Sequence, residues 1–452
     1  MSTAVTEPAP AWAATTASIP LPVQRSSTRE DPSSDSCRSW SASMWASLGG
    51  LSTPGKVTNR TALAVYPARL GGKPLTSQTP LWPPSAEDLR APFEGAIPYV
   101  VGLEDEVMLL SPESLELVSR APELFARLDE DARFKLELPA SQLEILTPPR
   151  SSVTEAAALL TDGRRALAER LSEDVRLAAA GVHPFSAGVG ELNRLPRYER
   201  TIRDYGPSLR RQLVCALQVH VSVGDADRAL LIYNAARSYL PLLAALAANA
   251  PFYEGEDTGL ASVRPKLGEL LPRQGVPPEI ESWPAYAEIF RWGAASGAFP
   301  DAGTWWWELR LHPGFGTLEF RVPDAQSTVL DATAIAAVTQ ALVVWLSARH
   351  ESGEPLPRHP SWRIEQNRWS ACRDGVEGWM VDLDSGRVRS TRDCLEELLT
   401  ELERFSGRLC SQQAFSRARE MVTVNGAIAQ RRVAQRGGPR GVALWLAERF
   451  LS

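Results

Sequence analysis

Lysine is nearly missing from this chain of 452 residues, with single residues at 56, 73, 135 and 266. Arginine carries the positive charge instead, spread along the sequence. The net charge is −6 and the pI about 5.6. That balance excludes the broad basic surface by which proteins hold nucleic acid. Cysteine is also scarce. The five residues, at 37, 215, 372, 394 and 410, are scattered and never form a CxxC pair. This excludes a zinc ribbon and a disulfide-dense scaffold, and sets the expectation of a reduced, cytoplasmic compartment. No glycine-rich phosphate loop appears. No apolar run reaches the ~20 residues of a membrane span. The best stretches, Tyr239–Ala250 and Ala332–Leu346, are interrupted by Pro, Asn, Thr or Gln. A basic segment followed by an apolar one is lacking at the start, so no secretory leader is expected.

What is present reads as a globular enzyme, with 44% hydrophobic and 23% charged residues. Residues 1–95 are rich in Ser, Thr, Pro and Ala and carry too little apolar surface to offset ordering entropy. They are expected to be a disordered extension, and 96–452 the catalytic domain. Helices are expected over Ser152–Ala180, Asp225–Ala248, Trp283–Trp292, Ala325–Arg349, Thr391–Ser406 and Gln412–Gln435. Strands and helices do not alternate strictly, which favours an α+β fold over a doubly wound sheet.

Four strands share one kind of face. Period-two alternation places Glu104 and Glu106 opposite Leu103 and Val107. It places Gln142 and Glu144, with Glu137 upstream, opposite Leu143 and Ile145. Gln218, His220 and Ser222 alternate with valines, and Glu319 and Arg321 with Leu318, Phe320 and Val322. One such strand is what any sheet with a wet face presents. Five glutamates, a histidine and an arginine on one sheet are different. Clustered carboxylates raise one another's pKa unless a cation neutralises them. Their oxygens suit Mg²⁺ or Mn²⁺, which bridge nucleotide phosphates, and Arg321 could stabilise charge on a transferring phosphoryl group.

The matching stretches are Gly-Leu-Glu-Asp-Glu at 102–106, Gln-Leu-Glu-Ile-Leu-Thr at 142–147, His-Pro-Phe at 183–185 and Arg197-Tyr198. Val-His-Val at 219–221, Ala-Asn-Ala-Pro-Phe at 248–252, Asp-Thr-Gly at 257–259 and the segment Trp306–Asp324 complete the set. In order and spacing they resemble the type 2 glutamate–cysteine ligases, or carboxylate–amine ligases. The resemblance implies a glutamine-synthetase-like fold, with a curved antiparallel sheet forming a funnel. It implies metal-binding acids at Glu104, Glu106, Glu137, Glu144 and Glu319, a metal-site histidine at His220, and ATP-phosphate contact at Arg321. Glu319 and Arg321 are the expected catalytic pair, and Arg264 and Arg310 are candidate anion contacts. It further implies ATP and Mg²⁺, small-molecule substrates (glutamate and an amine such as cysteine), no nucleic-acid or membrane partner, and dimerisation. Five departures bear on the substrate: Asp105 stands where Glu is usual, Gln218 where many members have a second His, Leu311 where Pro is common, and Leu260 and Val263 where aromatics are frequent. The rival expectations are the same chemistry with another amine acceptor or carboxylate, a silent nucleotide-binding relative, and an unrelated hydrolase using two glutamates as acid and base.

Overall fold

A computed structural model describes residues 82–299 and 302–452. Of the expected extension, residues 1–81 lie outside the described residues. The rest does not follow the boundary at 95. Ser85 caps a short helix, Ala86–Arg90, and Leu89 and Phe93 are buried in the core.

Seven strands form one antiparallel sheet: β1 Val101–Leu110, β2 Phe134–Leu136, β3 Gln142–Leu146, β4 Arg176–Ala178, β5 Leu217–Ser222, β8 Leu309–His312 and β9 Thr317–Phe320. Two small hairpins, β6–β7 (Phe252–Tyr253, Glu256–Asp257) and β10–β11 (Trp379–Val381, Val388–Ser390), stand apart from it. The main order is β2-β3-β1-β5-β9-β8, with β4 paired to the far end of β1, so the sheet is open at β2 and β8. The apolar face is fully buried: Val101, Leu103, Val107, Leu143, Ile145, Leu217, Val219, Val221, Leu318 and Phe320. Helices Val153–Leu171, Ala226–Ala236 and Val329–Glu351 cover it, and helices Leu240–Ala247, Ser361–Asp374, Thr391–Glu403 and Gln412–Thr423 form a further layer. Val329–Glu351 is long and apolar enough to cross a membrane by composition, but it is the central core helix, 83% buried over its most apolar stretch.

Three expected helices end far short or are divided, beyond small shifts of the ends elsewhere. The first ends at Leu171, because Arg176–Ala178 pairs with β1, a long-range contact that no local preference announces. The second divides at Arg237–Tyr239 ahead of Pro241, whose ring is tolerated only in a helix's first turn. The last divides at extended Val424, after which Asn425 caps a further helical segment, Gly426–Glu448, itself kinked where Gly438 leaves helical geometry ahead of Pro439.

Asp105, between the two acids of β1, points into the apolar side. Arg164 of helix Val153–Leu171 donates from Nε to Asp105 Oδ2 at 2.9 Å, and both side chains have no exposure. The remaining Arg164 donors reach the carbonyls of Gln326 (2.9 Å) and Phe450 (3.0 Å), under the Phe450 ring. One buried ion pair thus ties β1, a helix and the segments before and after the core helix.

Candidate active site

Register decides which side chains meet, because directly paired residues on neighbouring strands share a face. Lys135 pairs with Glu144, Glu144 with Glu106, and Glu104 with Gln218. Gly102 pairs with His220, His220 with Glu319, and Glu319 with Arg310. Three rows of paired residues therefore cross the sheet on the face opposite the core: Lys135–Glu144–Glu106, Glu104–Gln218 and His220–Glu319–Arg310. The expected set Glu104, Glu106, Glu144, His220 and Glu319 comes together on it. Glu137, just beyond β2, joins through Lys135, whose Nζ is 3.5 Å from its carboxylate.

At one end, buried Glu144 forms an ion pair with Lys135. Burial and the charges of Glu104 and Glu137 push its carboxyl well above the usual range. Glu106 accepts from the Ala216 backbone N–H at 2.6 Å and from Gln218 Nε2 at 3.0 Å. Burial, then the Glu137 charge, raises it to about 7. Burial also acts against the charge of Glu104, but the His220 ring, 3.3 Å away, outweighs it and holds Glu104 near 2.

At the other end, Glu319 is completely buried between two arginines. Arg310 pairs with it from β8, and Arg321 Nη1 donates to its Oε1 at 2.6 Å. Against the burial penalty, those two guanidinium charges hold its carboxyl well below the usual range. Arg321 Nη1 also donates to Gln218 Oε1 at 2.6 Å. His220 Nδ1 lies 3.0 Å from Thr317 Oγ1, and its ring meets His312 edge-on at 5.6 Å.

Arg264 is held differently. It donates to the carbonyls of Cys215 (3.2 Å), Arg321 (2.6 Å) and Pro323 (2.9 Å), so it braces the backbone that follows β9. Trp305 packs among Tyr286, Phe290 and Phe299 as core.

Sequence reasoning did not single out Lys135, His312 or Thr317. The signal for Lys135 was its spacing of two from Glu137, which puts both on one side of an extended chain. His312 showed none, since its place depends on the β8–β9 pairing with Thr317.

The donor chemistry fits a hard divalent cation. Carboxylate oxygens from three strands and the turn after β2 adjoin one imidazole, and burial, together with neighbouring charge, holds up the pKa of Glu106 and Glu144. Buried His220 Nε2 faces the Glu104 carboxylate at 3.3 Å. Among the described residues no three His, Cys, Asp or Glu side chains converge as a ligand set. The acids lean instead on Lys135, Arg310, Arg321 and Gln218.

A family model described as glutamate-cysteine ligase family 2 matches residues 100–444. The chain belongs to that family. A Rubrobacter xylanophilus protein named "Putative glutamate--cysteine ligase 2-3" is 35% identical over 364 residues, covering 79% of this chain and 98% of its own. A Frankia alni protein named "Putative glutamate--cysteine ligase 2-1" is 36% identical over 335 residues, covering 72% and 87%. Among solved structures, the glutamate–cysteine ligase of Francisella tularensis in complex with AMP superposes with a TM-score of 0.59 at 13% identity, over 78% of this chain and 89% of that one. A bifunctional glutathione synthetase from Pasteurella multocida gives 0.56 at 16%, over 81% and 53%. The glutamine-synthetase-like α+β fold of the ligase family is thus the fold of this chain, with its sheet left open.

Proposed function

We propose that this family member is an ATP-dependent ligase joining the side-chain carboxylate of glutamate to an amine, with L-cysteine the first candidate and γ-glutamylcysteine the product. The observation that carries the reading is the polar face itself, in which Glu104, Glu106, Glu144, His220 and Glu319 adjoin Arg310 and Arg321 inside the family match. Such a face is expensive to bury unless cations and phosphates complete it.

Glu104, Glu106, Glu137, Glu144, Glu319 and His220 would hold magnesium, which when bound shields phosphate charge and draws it toward the substrate carboxylate. The carboxylate oxygen attacks the γ-phosphorus of ATP as the bond to ADP breaks, giving an acyl phosphate. The amine nitrogen then attacks the acyl carbon, and inorganic phosphate leaves. Arg321, 22% exposed and fixed by two acceptors, meets the charge of the transferring group. Glu319 holds Arg310 and Arg321 in place. The chain contributes positioning and charge more than covalent chemistry.

The departures at Gln218 and Leu260 favour a second reading for the acceptor alone. Leu260 packs in a small apolar cluster with Val182, Ala250 and Val263, where bulk sets local shape. Another amine would then replace cysteine under the same chemistry.

The test is ADP release by the purified protein with Mg-ATP and L-glutamate, with cysteine and then a panel of amines. Release that requires glutamate and is greatest with cysteine is expected; a preference for another amine moves the acceptor. No release with any combination overturns the ligase reading. Glu319→Gln should lower turnover on the order of 10²–10⁴-fold.

A further inference from the structure

Gln218 is 3% exposed and occupies the centre of the polar face, on β5 between the β1 acids and Arg321. Its Nε2 donates to Glu106 Oε1 at 3.0 Å and reaches Glu144 Oε1 at 3.4 Å. Its Oε1 accepts from Arg321 Nη1 at 2.6 Å. A carboxamide offers donors and an acceptor at one end without charge. A carboxylate here would add a negative charge among Glu104, Glu106 and Glu144 and lose the donors. An apolar residue would leave a buried carboxylate oxygen and a guanidinium donor unmatched.

We propose that Gln218 is a positioning residue that acts through Arg321, fixing its guanidinium across the acidic face in the pose that meets phosphate. Arg321 Nη1 has two acceptors on two strands, Gln218 Oε1 on β5 and Glu319 Oε1, also at 2.6 Å, on β9. Two anchors on adjacent strands fix the plane of a guanidinium; one leaves it free to swing about that contact. The buried amide therefore aims a more exposed cation. The same amide ties Arg321 to Glu106 and Glu144, so the acids at one end of the face and the arginine at the other keep a fixed separation. The inference rests on the ligase reading for the chemistry Arg321 performs, and on geometry alone for how Arg321 is held.

A double-mutant cycle tests it, with Gln218→Ala, Arg321→Ala, the double variant and Gln218→His. The readouts are glutamate-dependent ADP release at varied ATP, and Mg-ATP affinity by calorimetry. Thermal melts check that each variant folds. Gln218→Ala is expected to lower kcat/KM for ATP by roughly 10- to 100-fold, and Arg321→Ala by more. The double variant should be no worse than Arg321→Ala, because Gln218 has nothing left to aim. Gln218→His, which restores one donor and one acceptor, should recover most of the loss. Losses that multiply in the double variant, or a folded Gln218→Ala within about threefold of the parent, would overturn the proposal. If the parent releases no ADP with any amine, the ligase reading fails by itself. The cycle is then read on Mg-ATP affinity, where non-additivity still supports the positioning role and additivity or no effect overturns it.

Discussion

His183 carries its proton on one nitrogen by construction. Its Nε2 lies 2.8 Å from the Leu115 carbonyl, and Nδ1 accepts from the backbone N–H groups of Phe185 and Ser186, at 3.2 and 2.9 Å. A second proton would turn an acceptor into a donor facing two donors, and burial lowers the pKa to about 4. Because the folded pKa lies below the unfolded value, the unfolded chain binds the extra proton first. The contribution is whole above about pH 6.5 and is lost as pH falls toward 4, up to about 3 kcal/mol. Urea midpoints measured across that range should fall more steeply for the parent than for His183→Gln; parallel profiles would refute this. The His-Pro-Phe motif thus owes its histidine to a loop's hydrogen bonds. Asp105 and Arg164 make the companion case. Asp105→Ala leaves a guanidinium charge uncompensated in the core and should cost about 3–5 kcal/mol in chemical denaturation. Asp105→Leu with Arg164→Met should recover most of it.

At the scale of elements, helix Val153–Leu171 lies against β3 at a glycine. A methyl group on Gly163 would sit 2.6 Å from Ile145 Cγ2, a branch close to the backbone with little room to turn aside. Alanine would gain about 1 kcal/mol of helix propensity and lose about 1–3 to overpacking. Gly163→Ala should therefore lower the melting temperature, whereas an exposed helical glycine changed in the same way would raise it. Elements were also where the sequence was most and least legible. β1, β3, β5 and β9 could be read because one face is apolar and the other polar, so their period of two survives in composition. β4 could not, since Arg-Leu-Ala continues a helical pattern and becomes a strand only by pairing with Met108–Leu110. The helix divisions at Pro241 and Asn425 were written in the residues but hidden by unbroken apolar spacing. The acids of the site followed from alternation and the resemblance. Arg310 was already a candidate anion contact; that it faces Glu319, and that Lys135 faces Glu144, needed the register.

For the molecule as a whole, the polar face is assembled from residues 104–144, 218–220 and 310–321, brought together by one sheet on one core. No local unit carries the site. Loss of nucleotide binding and loss of far-ultraviolet circular dichroism should therefore coincide in urea, within error, because neither half of the face survives without the central β1–β5 pairing. A binding transition well below the structural one would show that the site opens on its own.

The acid–acid–acid run of β1 has a further consequence, for how the chain avoids a wrong structure. All three residues are carboxylates, so composition gives β1 little reason to prefer one phase over the other at 104–106. Slipping the strand by one residue would send Glu104 and Glu106 into the apolar layer and Asp105 outward. Arg164 makes that slip unfavourable twice over. It would lose the short acid that fits it, at 2.9 Å, and would face longer side chains displaced along the strand. The buried pair therefore acts as a proofreading contact for strand phase, rejecting the frame in which the acids of the polar face are trapped in the apolar layer.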